Sequence, residues 1–393
     1  MGSLKEVPTK TIDIILEKFG EIDDERNVEY IYYTMNEIIF LIFCGSLVGC
    51  KSYEEIGDFG EMRIEWFRKY LGYKRGMPSH DTLNRVMGLI DTKQLEKVFV
   101  ELSNYSIKLK EGSVVSIDGK WISKSATIKE QQTKKAQGGK QATQMVNIFC
   151  KELNACLASV KVETGKNETS TLDEVFEMLE LSDCILTLDA GYCNPEIAKK
   201  IVKDAKADYI IGLKGNQKKL LELTEKQFEN VEVMSSDEED SRGHGRIEKR
   251  ICKVINIKEV RDGLSPAENI LFGKWLELKM LIEVEREREI IATGEVVKTK
   301  SYYISSRELT AKKTNEIIRD HWGVENNLHW VLDVVFGEDD NTNRTKNSAA
   351  NFSLIRKLAF NKLKSKTEKA VSINRKMRKA LMDLSYLNTI LGI

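Results

Sequence analysis

The sequence predicts a mixed α/β protein that begins with a helical domain, and a change in the spacing of apolar residues carries this prediction. Up to residue 110 the apolar positions recur at intervals of three and four, which is typical of amphipathic helices. From residue 114 short β-branched runs alternate with helical segments, and this order indicates a mixed sheet with flanking helices. A chain of 393 residues has room for two to three domains of about 150 residues each.

Breaks in this pattern place the domain boundaries. The segment Glu-Gly-Ser at 111–113 ends the helical part, and strand-like runs after residue 217 interrupt the α/β pattern. The units predicted are a helical N-terminal domain (1–110), an α/β domain (111–366) that contains a β-rich insertion (about 217–305), and a basic helical C-terminal tail (367–393).

Charge is unevenly distributed although the formal net charge is zero. Residues 222–240 hold eight acidic residues and one lysine, whereas residues 344–379 hold twelve basic residues and one glutamate. The neutral total excludes a uniformly basic nucleic-acid-coating protein and an acidic disordered chain. The basic tail nevertheless offers positive charge to an anionic partner.

Cysteine usage and hydropathy bear on the cellular location. Seven cysteines without a CxxC pair predict reduced, packed thiols rather than a disulfide framework or a zinc ribbon. The longest apolar run, residues 38–50, is shorter than the ~20 residues of a membrane span, so we expect a buried core helix. The first ten residues lack an apolar signal region. We therefore expect a cytoplasmic protein that does not enter a membrane.

Two aspartates end predicted strands. Asp118 is followed by a glycine, and Asp-Gly is also a strong hairpin signal, so Asp118 alone is better explained as a turn residue. Asp189 ends the run ILTLDAG, and the N-cap of the next helix is supplied by Asn194 and Pro195 instead. Because open α/β sheets bind ligands at the carboxyl ends of their strands, we favour a functional role for Asp189.

Glu325 lies in a predicted helix from about Thr314 to Phe336. At 100° per residue, the side chains that share its face are apolar: Ile318, Leu332 and Phe336. A carboxylate centred on an apolar face costs several kcal/mol unless it is paired, so we expect a cation beside it, either a metal ion or a buried arginine.

His321 and His329 flank Glu325 by one turn on either side and raise the alternative of a zinc site. Eight residues of helix rise about 12 Å, which is too far for all three side chains to bind one ion. Carboxylates from two strand ends and a helix form a hard oxygen site that suits Mg²⁺ or Mn²⁺. Two such ions could activate an attacking oxygen and stabilise a leaving oxygen in phosphodiester chemistry.

Several segments are shared with one known family. They are IDGK at 117–120, LDAGYCNPEIAKKI at 188–201, YIIGLKGNQ at 209–217, HGRIEKR at 244–250, YYISS at 302–306 and RDHWGVENNLHWVLDVVFGED at 319–339, with GMPSHDTLNRV at 76–86 in the helical part. The chain thereby resembles the H-repeat-associated insertion-sequence DDE transposases. The resemblance implies an RNase H-like catalytic domain, a β-rich insertion before the last catalytic helix, and a triad of metal ligands at Asp118, Asp189 and Glu325.

The function implied is a DNA transposase that cleaves element ends and joins the 3′-OH to target DNA with two Mg²⁺ or Mn²⁺ ions. The partners expected are double-stranded DNA and further copies of the chain, as a homodimer or larger assembly. Two alternatives stay open: an inactive DNA-binding relic and an RNase H-like structure-specific nuclease. The DNA contacts expected, besides the helical domain and the basic tail, are Lys120, Lys214, Asn216, His244, Arg246, Arg319 and His321.

Related transposases also carry a Tyr and an Arg before the glutamate and a Lys after it, which hold phosphate. At those spacings this chain has Ile318, His321 and Leu332. The resemblance therefore leaves open which residues hold the phosphate here.

Overall fold

The computed structural model describes residues 11–126, 142–243, 245–365, 368 and 370–393. The helices before the sheet are α1 (Thr11–Gly20), α2 (Met35–Val48), α3 (Tyr53–Met62), α4 (Ile64–Phe67), α5 (His80–Leu89) and α6 (Thr92–Ser106). Thr34 and Glu37 cap the start of α2 reciprocally, and Gly49 ends it with a φ of +94°.

The prediction of a buried helix at residues 38–50 is confirmed, since α2 is buried over nearly its whole length. Within the described residues, no single helix has both the length and the apolar composition to cross a membrane. Helices α2 and α3 satisfy that test only as a pair, with a bend of 96° between them.

The described residues form a nine-stranded mixed sheet with the order β3-β2-β1-β4-β5-β9-β8-β7-β6. Its first half comprises β1 (Val114–Trp121), β2 (Gln144–Cys150), β3 (Ala155–Lys161), β4 (Ile185–Leu188) and β5 (Asp208–Leu213). Strands β1 to β3 form an antiparallel meander, and β4 and β5 run parallel to β1. The helices α7 (Leu172–Met178) and α8 (Pro195–Lys203) connect these strands. This order and these directions are those of an RNase H-like sheet, so the predicted fold class is confirmed.

The second half of the sheet comes from residues between β5 and the later helices. It comprises β6 (Ser235–Gly243), β7 (Arg246–Asn256), β8 (Met280–Ile290) and β9 (Glu295–Ser305), with α9 (Lys218–Asn230), α10 (Ile257–Arg261) and α11 (Pro266–Gly273). Strand β9 pairs antiparallel with β5, with Tyr303 opposite Gly212. The β-rich segment therefore continues the catalytic sheet edge to edge.

The segment predicted as one long helix is divided. It consists of α12 (Ala311–His321), a π-helical turn (Glu325–His329) and α13 (Trp330–Val334). Because a π turn holds more residues than an α turn, it shifts the direction in which every later side chain points.

The C-terminal helices are α14 (Ser348–Ser365), α15 (Ile373–Met382) and α16 (Leu384–Leu391). Helix α14 packs against α2, α5 and α6, and the Asn351 side chain donates to the Met87 carbonyl at 2.8 Å. The helical domain is thus built from both parts of the sequence. The positive charge of residues 344–379 is partly internal, because Arg356, Lys357 and Lys376 are buried.

Replacing Glu96 on α6 with Gln should remove a pH-dependent loss of stability. The Glu96 side chain is 2% exposed and accepts a hydrogen bond from the Lys161 backbone at 2.6 Å, and burial raises its pKa from 4.5 to about 8. The pKa of Glu96 is higher in the folded protein than in the unfolded one. The free energy of unfolding therefore has its full contribution from Glu96 below pH 4.5 and loses on the order of a few kcal/mol as the pH rises through 8.

Urea denaturation between pH 6 and pH 9 measures this effect. The wild type should lose stability across that range, and Glu96→Gln should lose much less. The control Glu61→Gln, at an exposed position of α3, should keep the wild-type profile. An unchanged profile in Glu96→Gln would contradict the prediction.

Candidate active site

The strand register brings Asp118 and Asp189 together. Strands β1 and β4 are parallel, with Ile117 beside Leu188 as their last pair, so the two aspartates follow at the same level. Alternation along a strand directs Ser116 and Asp118 of β1 to one face, the face that Thr187 and Asp189 of the neighbouring strand share. Helix α12 packs on this face and leads to the third carboxylate.

Glu325 begins the π turn directly after α12. Its side chain is exposed, so the expectation that it would be centred on an apolar, buried face is wrong. The π turn explains the difference, since a count of 100° per residue fails across it. Glu325 nevertheless acts on Asp118, because its charge is the largest cause after burial of the raised pKa of Asp118.

Like charge is concentrated around Asp118. Burial and then the charges of Glu325, Glu168 and Asp189 raise its pKa from 3.8 to about 7. Glu168 was not foreseen from the sequence. It lies in the short helical turn before α7, accepts a hydrogen bond from Gln144, and also has a raised pKa through burial and Asp189.

The donor chemistry of this cluster fits a divalent cation. Carboxylate oxygens are hard ligands, and a positive ion would relieve the repulsion among them. The Tyr192 hydroxyl is buried beside the same carboxylates without a hydrogen-bond partner among the described residues. No three His, Cys, Asp or Glu side chains of the described residues are arranged around one point as a complete ligand set. Magnesium sites often use one or two carboxylates and complete the shell with water and substrate phosphate.

Lys214 contacts Asp189 at the open end of the sheet. The Lys214 ammonium lies 3.1 Å from an Asp189 carboxylate oxygen, and both side chains are substantially exposed. The loop after Asp189 is held by Asn216, whose amide donates to the Ala190 carbonyl at 2.7 Å. Lys214 and Asn216 therefore lie at the site; their expected role as DNA contacts stays a prediction, and Asn216 binds the loop itself.

His329 supports Asp118 from the π turn. Its Nδ1 lies 3.7 Å from an Asp118 carboxylate oxygen, and its Nε2 lies 3.1 Å from the amide nitrogen of Asn147. Asn147 in turn accepts a hydrogen bond from Ser159 at 2.8 Å. Because the amide nitrogen only donates, the ring proton is on Nδ1 and faces Asp118. Burial lowers the pKa of His329 to about 4, so this ring is neutral at pH 7.

His321 belongs to a different contact. Its Nδ1 lies 3.0 Å from the Thr187 hydroxyl, which donates to Ser116 at 3.1 Å. Burial lowers the pKa of His321 to about 4, although Asp189 opposes the shift. A neutral, buried histidine does not supply the positive charge expected for a DNA contact here.

Lys120 was expected to contact DNA, but its ammonium is turned inward. The side chain is 8% exposed and lies 2.6 Å from Asp333, 3.1 Å from Asp339 and 3.8 Å from Glu338. Surrounded by these carboxylates, Lys120 joins β1 to α13 and to the segment that follows it instead of meeting a phosphate at the surface.

The remaining expected DNA contacts belong to the insertion and to α12. Arg246 is exposed at the start of β7. Arg319 is exposed on α12 and forms an ion pair with Glu239 of β6. The prediction for His244 lies outside the described residues.

Comparison with known families identifies the class of this protein. The family model described as the transposase DDE domain matches residues 109–362, and a model described as DDE_Tnp_1-associated matches residues 16–102. The chain belongs to the DDE-domain transposases, whose members generally use divalent metal ions.

Within that class the chain belongs to the H-repeat-associated family. It is 34% identical to putative transposase YncI of Escherichia coli O157:H7, across 97% of this chain and 95% of the relative. It is also 34% identical to H repeat-associated putative transposase YhhI of Escherichia coli strain K12, across 96% and 97% of the two chains. A cryo-EM structure of piggyBac transposase in a synaptic complex with hairpin DNA aligns at a TM-score of 0.43 and 13% identity over 97% of this chain and 78% of that one, a likeness too distant to bear on function.

Proposed function

We propose that this protein cleaves the ends of an insertion sequence and joins the freed 3′-OH to target DNA. The observation that carries the proposal is the crowding of Asp118, Asp189 and Glu325 at one edge of an RNase H-like sheet in a DDE-domain chain. Repulsion among these carboxylates raises the free energy of the metal-free protein, and binding of positive charge offsets it. A site of this kind is built for cations and phosphate.

In this proposal the three carboxylates hold two Mg²⁺ or Mn²⁺ ions. When bound, these ions supply Lewis-acid activation of the attacking oxygen and charge stabilisation for the leaving oxygen. The chain's own residues position the carboxylates. His329 places its Nδ1 3.7 Å from an Asp118 carboxylate oxygen, and Lys214 pairs with Asp189 until cations or phosphate compete for either partner.

The exposed cations near this edge serve as DNA contacts in the proposal. Lys214, Arg246 and Arg319 are accessible, and the helical domain at residues 1–110 supplies further duplex binding. Synapsis of two element ends requires a dimer or larger assembly on DNA, formed in the cytoplasm at the nucleoid. The domain division at residues 110 and 366 stays a prediction, although α14, which precedes residue 366, packs on the helices of the N-terminal part.

Cleavage of the gene's own flanking DNA tests the function. Purified protein is incubated with a plasmid that carries this flanking DNA and with Mg²⁺ or Mn²⁺, beside an EDTA sample and the Asp189→Asn variant. We expect metal-dependent breaks at the flanks and at least about a thousandfold loss in the variant, since removing a metal ligand removes several kcal/mol of transition-state stabilisation. Asp173→Asn is the matched control, because Asp173 also pairs with a lysine, Lys200, and is not among the carboxylates that raise the pKa of Asp118.

Each other outcome has a defined meaning. DNA binding without breaks would contradict the transposase function and favour an inactive DNA-binding protein. Breaks at scattered sites would favour a nuclease. Full cleavage by Asp189→Asn would remove Asp189 from the catalytic assignment.

A further inference from the structure

Two arginines face each other in the β-rich insertion. Arg250 of β7 and Arg286 of β8 are direct partners across the antiparallel strand pair, so their side chains leave the sheet on the same face. Arg250 is 5% exposed, and Arg286 is half-buried. Like charges at directly opposed positions destabilise a strand pair, which makes this arrangement costly without a further partner.

Neither guanidinium has an anionic partner among the described residues. The Nε and one Nη of each arginine are buried without a hydrogen bond, and no carboxylate of the described residues lies within 4.0 Å of them. Burial and the charge of Arg286 lower the pKa of Arg250 to about 10. Other cations of the insertion are paired: Arg288 with Glu248, Lys298 with Glu287 and Lys249 with Glu238.

The arginine pair adjoins the candidate active site. A cavity of about 470 Å³ opens beside Asp189 and is lined also by Lys214, Tyr303 and Trp322. The Arg286 guanidinium lies 5.6 Å from the centre of the Trp322 ring. Tyr303 lines this cavity, and the charges of Arg286, Arg250 and Asp189 all act on its hydroxyl.

We infer that Arg250 and Arg286 bind one backbone phosphate of the DNA strand that enters the catalytic site. The inference rests on the proposed function for the identity of the anion as a DNA phosphodiester. Each guanidinium group has several N–H donors in a planar geometry that matches phosphate oxygens, and the contact of Arg286 with the Trp322 ring does not use those donors. The half-buried Arg286 makes the direct contact, and Arg250 behind it adds charge. This pair fills the role left open by the absence of an Arg and a Lys near Glu325.

Opposite effects on stability and on DNA affinity test the inference. We expect Arg250→Gln to raise the Tm of the DNA-free protein, because it removes a buried, unpaired charge. We expect Arg250→Gln and Arg286→Gln each to weaken duplex binding about tenfold for all sequences. Each should also reduce the slope of log affinity against log salt concentration by about 1, whereas Arg286→Lys should keep most of that slope. Arg288→Gln is the matched control, because Arg288 lies two positions along the same strand and is paired with Glu248.

Inorganic phosphate provides a readout that does not require DNA cleavage. At equal ionic strength, phosphate should raise the Tm of the wild type and of Arg288→Gln more than chloride does, and Arg286→Gln should lose this difference. If phosphate stabilises the wild type and Arg286→Gln loses this effect, but the protein does not bind duplex DNA, the anion site is supported and the proposed function is contradicted. If the protein cleaves DNA but Arg250→Gln and Arg286→Gln both keep the wild-type DNA affinity and salt dependence, the inference is overturned and the proposed function is not. A fall of both Tm and DNA affinity in Arg250→Gln would also overturn the inference, because it indicates a structural role.

Discussion

Replacing Asp118 with Asn is expected to abolish DNA cleavage and, at pH 8, to stabilise the metal-free protein. Burial and three neighbouring carboxylates raise the pKa of Asp118 to about 7, so its ionised form is costly in the folded state. Asparagine keeps the shape and removes this charge. The gain should be roughly 2–4 kcal/mol, and the loss of cleavage about a thousandfold or more.

Urea denaturation with and without Mg²⁺, beside the cleavage assay, measures both effects. Mg²⁺ should stabilise the wild type at pH 8 and should stabilise Asp118→Asn much less. Duplex affinity without metal should stay within a few-fold of the wild type, since Asp118 donates nothing to phosphate. A variant that cleaves at the wild-type rate, or that is less stable than the wild type at pH 8, would contradict the placement of Asp118 at the centre of the acidic cluster.

Replacing Glu338 with Gln is expected to be among the most destabilising changes in the chain. Glu338 is fully buried and lies 3.8 Å from both Lys357, also fully buried, and Lys120. Burial alone would raise its pKa, but the attraction of Lys357 and Lys120 lowers it, so the carboxylate is ionised. Glutamine keeps the hydrogen bond from Ser353, 2.6 Å long, but leaves buried cations uncompensated. The expected loss is about 3–5 kcal/mol.

A double variant separates this charge effect from a packing effect. Glu338→Gln combined with Lys357→Met should recover a large part of the loss, because the uncompensated ammonium is removed with its partner. The neighbouring Asp340→Asn, whose side chain is 76% exposed and paired with Lys124, should change stability by less than about 0.5 kcal/mol. A double variant no more stable than Glu338→Gln would show that the network is not held by charge balance.

Much of the fold could be predicted from the sequence, because strand periods are local signals, whereas the triad of Asp118, Asp189 and Glu325 stays a prediction that the family resemblance implies. Asp189 follows a buried strand as expected, whereas Asp118 lies within β1 opposite Asn147 and is not a turn residue; the parallel pair places both at one edge. The environment of Glu325 could not be predicted, since a π turn has no reliable local signature and changes the phase of the helix.

Contacts between residues that are distant in the sequence could not be predicted either. Lys120 meets carboxylates more than two hundred positions later in the chain, on a segment whose position only the packed fold defines. The opposition of Arg250 and Arg286 depends on the register between two strands 36 positions apart, which spacing along the chain does not reveal. No sequence motif marks Glu168, which reaches the site because the turn before α7 lies near Asp118.

The position of α14 at the centre of the helical domain affects how the protein is made. On the ribosome the first hundred residues emerge long before residues 348–365, so the apolar surface of α2 that α14 covers stays exposed until α14 has been made. A gene copy interrupted upstream of α14 would therefore not yield a small, folded competitor for DNA. Its product would expose core surface to chaperones and proteases and be removed, so the helical domain is completed only in chains that already carry the whole catalytic sheet.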